Sequence, residues 1–384
     1  MTPTQVGTIP YAVNFDEVGG TARLTAGVNV AVGTAASAST CGLGTSALTV
    51  RGPTLTQTGV NDSASGDNQS AVCAQGAGTN VLLTNETVNK TGNALSPFDP
   101  SGINSAVLAY GASDTATANA VITLNGGTIT ASGVGAYAAF ATGAGSSVQL
   151  SGTAVTAGFN AVGASMAGQV TLTNATVTST GNPLVAINGS GNVTVTNSTL
   201  TAPNGQGGNG AIAVFSNVVP GASTAAGKVS ITGGSLNRTG GPLISVSGNE
   251  SATISLSHVA VTLGEQFIQS GGGTGTITVL ADGVALGGSS QYGSAAPSAT
   301  LSLMNSSTFK GLVGGASLTL DASSSWTLTA GDSVGALSDA AGISGTSLTN
   351  VVGNGNNATF DSANSPLMGG KTYLLVGGGT LSPR

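Results

Sequence analysis

A short apolar pattern returns along almost the whole chain and limits what it can fold into. An apolar residue, one gap, a second apolar residue, four gaps and a third occur at Leu48/Val50/Leu55, Val81/Leu83/Val88, Ile122/Leu124/Ile129 and Val148/Leu150/Val155. The pattern continues at Val170/Leu172/Val177, Val193/Val195/Leu200, Val229/Ile231/Leu236, Ile254/Leu256/Val261 and Ile277/Val279/Val284. Leu301/Leu303/Phe309 and Leu318/Leu320/Trp326 stretch the second gap by one residue. Several successive starts lie 22 to 26 residues apart, with exceptions at 33, 41, 36 and 17. A period of this size means a solenoid, because one such unit cannot bury its apolar face alone.

The segment from Gln169 to Gly191 shows the grammar of one unit. Val170 and Leu172 alternate with Thr171 and Thr173, as in a half-buried strand. Asn174-Ala175 makes a bend, Val177 points inward between Thr176 and Thr178, and Thr180-Gly-Asn-Pro183 is a turn before Leu184-Val-Ala-Ile187. Only 6% of the residues are charged while 40% are hydrophobic, and there are 62 glycines. Thr, Val, Ser, Asn and Gly favour strands and turns over helices. The expected fold is all-β: a single-domain right-handed parallel β-helix of about eleven to twelve rungs. Residues 1–45 are expected to form an N-terminal cap and an irregular first turn, 46–330 the repeats, and 331–384 the C-terminal rungs and cap. The long intervals must loop outward, at 96–102 and 219–226.

The texture of Gly/Asn-rich turns, V-x-L strands and low charge resembles the passenger domains of pertactin-like autotransporters and related secreted β-helix adhesins. The closing stretch LTLDASSSWTLTAGDSVGAL, Leu318 to Leu337, is similar to the last passenger rungs of that family, where a Trp follows an apolar strand. No membrane β-barrel follows Arg384 and no Arg-Gly-Asp is present, so the resemblance implies a detached passenger or a secreted relative. The implied role is an extracellular structural or adhesive rod, without catalysis, at the cell surface or secreted. Its partners would be other copies stacked end to end, or a host surface or glycan.

Several function classes are disfavoured by what is missing. The eight Lys and Arg are isolated, so no nucleic-acid partner is expected. No run of 18 apolar residues would span a membrane. Met1 to Pro10 lacks the regions of a signal peptide, so the chain is a mature fragment or is exported by another signal. Cys41 and Cys73, 32 residues apart, would sit on adjacent turns within disulfide reach; the alternative is two small buried thiols. A disulfide would agree with secretion.

His258 is the only histidine and falls at a bend after Leu256, so a triad or a histidine metal site has nothing else to use. The acids Asp62, Asp67, Glu86, Asp99, Asp114, Glu250, Glu265, Asp282 and Asp321 are mostly single, and Asn305 falls between Asp282 and Asp321. A glycan-acting lyase or hydrolase would need two carboxyls brought together by stacking. Gly271 to Gly275 lacks the Asp of a calcium-binding nonapeptide, and no metal or cofactor is expected. Thr128 and Thr130, Thr176 and Thr178, and Thr199 and Thr201 flank inward residues and would make a surface ladder, interrupted by Ala154, Ser235 and Ala260. Such a face suggests ice or another flat ligand; the plainer reading is that Thr suits an exposed strand. Twelve Asn-x-Ser/Thr triplets, among them Asn85, Asn174, Asn197 and Asn305, are what a chain rich in these residues produces by chance.

Overall fold

Stacked coils of parallel strands form a β-solenoid of about twelve turns in a computed structural model of the protein. The structure describes residues 7–9, 13–16, 21–24, 28–32, 39–41, 44–52, 54–95, 102–111, 120–181, 183–202, 209–215, 225–262, 264, 266–292 and 298–384. The expected N-terminal cap and first turn over residues 1–45 and the expected loops lie largely outside these residues.

A typical coil has three strands. Gln169–Thr173 joins a first sheet of thirteen strands, Thr176–Ser179 a second sheet of ten, and Val185–Asn188 a third sheet that runs the length of the stack. Val170 pairs with Val148 below and Val193 above, Leu172 with Leu150 and Val195, and Val177 with Val155 and Leu200. Each of these side chains is buried. Identical positions therefore stack at about 4.8 Å, and thirteen strands give a column of about 55–60 Å. Each buried aliphatic side chain contributes about 1.5–3 kcal/mol against the entropy of ordering it.

The corner between the first and second sheets explains many of the asparagines. Asn85, Asn174, Asn197 and Asn305 have φ near +50°, and Gly59, Gly152, Gly233 and Gly283 stand at the same corner with φ of 60–64°. Asn and Gly are the residues that enter this region at least cost. The N–H of most corner residues donates to a carbonyl one coil on, as Asn174 does to Thr196 at 3.0 Å and Asn197 to Thr232 at 2.9 Å, whereas that of Asn305 donates to the Asp321 carboxylate. Four of the Asn-x-Ser/Thr triplets are thus explained by a backbone requirement.

Two of the eleven triplets are out of phase with the coils. Leu48 and Val50 lie on Gly44–Arg51 of the third sheet, whereas Leu55 starts the next coil and pairs with Val81. The inward set of that coil is Leu55, Gln57 and Asp62, in register with Val81, Leu83 and Val88. Two polar residues at aliphatic positions hid the coil from the pattern. At the other slip, Ile254 pairs with Val279 and Leu256 with Ala281 rather than with Ile277 and Val279. The strand Thr276–Asp282 has seven residues and buries three of them, so a spacing rule fits it in two phases.

The stretched copies have a topological cause. The second sheet ends at Ala260–Thr262, and the eight-residue strand Ala285–Tyr292 pairs in the third sheet instead. Leu286, Phe309, Trp326 and Val351 form one column there. Trp326 is fully buried, and its indole Nε1–H donates to the Gly311 carbonyl at 3.1 Å. Near the C-terminus antiparallel pairs are added to the parallel stack: Ile343–Ser344 with Ser347–Val352, and Tyr373–Val376 with Thr380–Pro383.

From Gly44–Arg51 to Pro242–Val246 the third sheet is buried on both faces. Its outer face carries Cys73, Leu108, Tyr137 and Phe140, with ring centroids of the two aromatics 4.7 Å apart. A Cβ on Gly163 would come within 2.7 Å of both rings, so only glycine fits that strand position. Cys41 is bonded to Cys73 across this face. Cys73 pairs in register with Thr49, while Cys41 belongs to the short strand Ser39–Cys41, antiparallel to Gly44–Arg51. The sulfurs therefore meet through a folded-back flap and not through equivalent positions on adjacent turns.

Leu172→Asp buries an unpaired carboxylate between Leu150 and Val195 and is expected to cost about 3 kcal/mol or more. Urea unfolding of the variant measures this; an unchanged midpoint would place Leu172 outside the core.

Candidate functional site: a polar corner and a threonine face

Four of the scattered acids are brought into two groups, Asp282 with Asp321 and Asp62 with Glu86. Asp99, Asp114 and Glu265 lie outside the described residues.

The outer group climbs the corner between the first and second sheets. Ser257 Oγ donates to Asp282 Oδ2 at 2.8 Å and lies 2.9 Å from His258 Nδ1. Asn305 Nδ2 donates to Asp282 Oδ1 at 2.7 Å, and the Asn305 backbone N–H donates to Asp321 Oδ2 at 2.7 Å. Asn305 thus bridges the two carboxylates. Asp282 and Asp321 follow strands two coils apart, roughly 10 Å along the axis. Hydrogen bonds from Asn305 and Ser257 hold the Asp282 carboxyl below its usual range. Burial would raise Asp321, but donors from Asn305, Ser324 and Ser323 outweigh it and hold it at about 2.

This chemistry is unsuited to acid–base work. Glycoside hydrolysis needs one carboxyl that keeps its proton near neutrality, and here both are stabilised as anions. Ser257, His258 and Asp282 are neighbours but do not form a relay. In a working triad the imidazole stands between serine and carboxylate, with one ring nitrogen for each. Here the serine donates to the aspartate, and the same Nδ1 that faces Ser257 lies 3.9 Å from Asp282 Oδ2. His258 itself occupies the corner with φ 51°, where its N–H donates to the Asp282 carbonyl at 2.8 Å. No group of three His, Cys, Asp or Glu is placed to hold a metal among the described residues.

The inner group is hidden. Asp62 and Glu86 are fully buried, with Gln57 beside them. Burial pushes Asp62 up to about 7, against the approach of the Gln57 amide. Burial, and then the charge of Asp62, push Glu86 up to about 8, against the backbone of Val60 and Thr84. None of the four carboxyl oxygens nor the Gln57 amide makes a hydrogen bond of ordinary geometry. A carboxyl sealed from solvent cannot meet a polymeric substrate. Two cations share the interior: Lys90 Nζ donates to the Gly66 carbonyl at 2.9 Å, and Arg238 Nη2 donates to the Asn209 carbonyl at 2.6 Å. Both ends reach back one coil and hold a turn carbonyl. Burial lowers Lys90 to about 8 despite Asp67, and lowers Arg238 as well.

The threonines form a wider grid than the sequence pattern showed. One outward column of the second sheet runs Thr128, Ala154, Thr176, Thr199, Ser235 and Ala260. The other runs Thr130, Thr156, Thr178, Thr201, Asn237 and Thr262 with no register shift. Thr156 completes four threonines in a row; its signal was the half-match Ala154-Val-Thr156. The grid repeats at about 6.6 Å along a strand and about 4.8 Å between coils.

No family model matches the chain, and neither a curated protein nor a solved structure matches it. No described helix is long and apolar enough to cross a membrane.

Acid unfolding tests the corner. Asp321 lies below its ordinary value in the folded chain, so its contribution is present above about 4 and is lost as pH falls towards 2. Asp321→Asn is expected to be less stable than the parent at pH 6 and to lose less between pH 4 and 2, as followed by circular dichroism. Parallel curves for the two proteins would remove Asp321 from this role.

Proposed function

We propose that the protein is an extracellular rod with a structural or adhesive role, and that it recognises its partners through neutral hydroxyl and amide side chains. The observation that carries this reading is the outer surface of the first two sheets. It repeats Thr, Ser, Asn and Gln coil after coil in register, while one carboxyl group is sealed inside and the other is tied down as anions. Such a surface offers many weak hydrogen bonds along one line. That suits an extended partner such as a neutral glycan or a second rod better than a small substrate. The Cys41–Cys73 bond agrees with an oxidising compartment, hence secretion or display at the cell surface. The likeness of Leu318 to Leu337 to the closing rungs of pertactin-like passengers supports the same location.

Retention on immobilised neutral polysaccharide and sedimentation from micromolar to near-millimolar protein test the proposal. Retention that survives high salt, or growth into longer species of constant width, is the expected result, because the face carries few charges. A monomer at every concentration that is retained on no surface overturns it.

The unbroken column from Thr130 to Thr201 favours a second reading, in which this flat face orders water and binds ice. That reading requires thermal hysteresis in the parent and its loss in Thr178→Tyr with melting unchanged. Absence of hysteresis in the parent ends it.

A further inference from the structure

Asp62 and Glu86 belong to no surface site, and their position asks for a separate explanation. Asp62 pairs in register with Val30 below and Val88 above, a column of aliphatic positions. Gln57 pairs with Leu24 and Leu83. Glu86 stands just after the corner residue Asn85, where Val60 stands one coil earlier and Val259 several coils later. Gln57 and Asp62 thus stand at aliphatic positions of one coil, and Glu86 adds a third buried polar side chain at the corner of the next. An apolar residue would fit each place, so the coils tolerate a cost that only an uncharged state makes small. We propose that the carboxyls of Asp62 and Glu86 are a proton-operated latch: protonated, they close the coils spanning residues 54–90 on a neutral core, and their ionisation loosens those coils.

The charges facing the pair are few. Lys90 lies on the strand Thr87–Lys90, with its head turned to the Gly66 carbonyl and Asp67 as the charge that acts on it. Arg51 stands half-buried at the end of Gly44–Arg51. Arg23, on Thr21–Leu24, pairs in register with Thr56. The strands Thr54–Thr58, Gln69–Gln75, Asn80–Thr84, Val121–Asn125, Thr128–Ala131 and Val28–Val32 carry no free ionisable side chain. Among the described side chains, none of these cations is paired with either carboxyl.

The sign follows from linkage. Carboxyls with ordinary values of 3.8 and 4.5 stand near 7 and 8 in the folded chain. The folded coils then hold protons that the open coils release, so their stability is full below about pH 4 and falls until pH passes about 8. Lys90, lowered from 10.5 to about 8, works in the opposite direction above that pH, so the latch is read between pH 5 and 8.

Hydrogen exchange with mass spectrometry reads the latch directly. Protection of peptides within 54–90, corrected for the intrinsic rate at each pH, is expected to fall between pH 5 and 8, approaching about tenfold per pH unit for each proton released. Peptides within 169–200 hold their protection and serve as the internal reference. Asp62→Asn with Glu86→Gln is expected to abolish the pH dependence. Asp62→Val with Glu86→Val restores the residue type found at these places in other coils. It should therefore fold and show the same flat profile even if the amide pair does not fold. Wild-type protection that is equal at pH 5 and 8 overturns the latch, as does a fall of the same size in the valine double variant.

Discussion

The parallel backbone ladder between coils is the constraint from which the rest of this structure follows. Each strand pairs with its equivalent one coil away, so a side chain has no choice of neighbour except the residue at the same place in the next coil. Val170 must meet Val148 and Val193, and Leu172 must meet Leu150 and Val195. The ladder holds only if every coil turns its corner at the same point. The column of positive-φ residues does this: Asn174 and Asn197 sit over one another, and each passes its N–H to the coil beyond. A residue unable to enter that conformation would shift the strand after it by one place and send its aliphatics to the outside.

The same constraint sets what was legible in the sequence. Wherever all three inward residues are aliphatic, spacing alone gives the coil, as from Val81 to Leu256. The coil of Leu55, Gln57 and Asp62 was unreadable because two of its inward residues carry the signature of a surface strand. The phase at Ile277 was ambiguous because a seven-residue strand fits the two-residue period in two ways. Trp326 and Phe309 were found, but their sheet was not, since the end of the second sheet at Thr262 leaves no mark in the spacing of apolar residues. Cys41 and Cys73 were paired from a near match to the repeat length, whereas the flap that joins them is a local antiparallel turn. At the polar corner the bridging place of Asn305 between two acids was visible in order, and the hydrogen bonds that keep those acids ionised were not.

Charge is distributed by the same logic. A stack that repeats every coil would place like charges about 4.8 Å apart along any column, which is costly on a sheet face. The outer columns therefore use Thr, Ser, Asn and Gln, which can repeat without penalty. Where acids do occur outside, Asn305 separates them by one coil. The buried cations Lys90 and Arg238 share one column but are kept apart by Ala131, Ala157, Ser179 and Ala202. Low charge is in this sense a consequence of the fold, and it also leaves the surface with hydroxyls and amides as its means of recognition.

The two ends of the column are built differently, and this bears on how rods would meet. Parallel pairing has no internal stop, so an exposed final strand is a template for another copy. Near the C-terminus the last two strands, each still paired in parallel with the coil below, also pair antiparallel with each other, with Tyr373 opposite Leu381 and Leu374 opposite Thr380. A strand already paired with its own hairpin partner offers one edge fewer, and Leu374 and Val376 are left facing outward. Towards the other end the pairing stays parallel, with Gly7–Ile9 on Val28–Val32 and Val28–Val32 on the strand of Asp62. Contacts between rods would then draw on unlike ends: a closed hairpin with exposed aliphatics at one, and parallel pairing at the other.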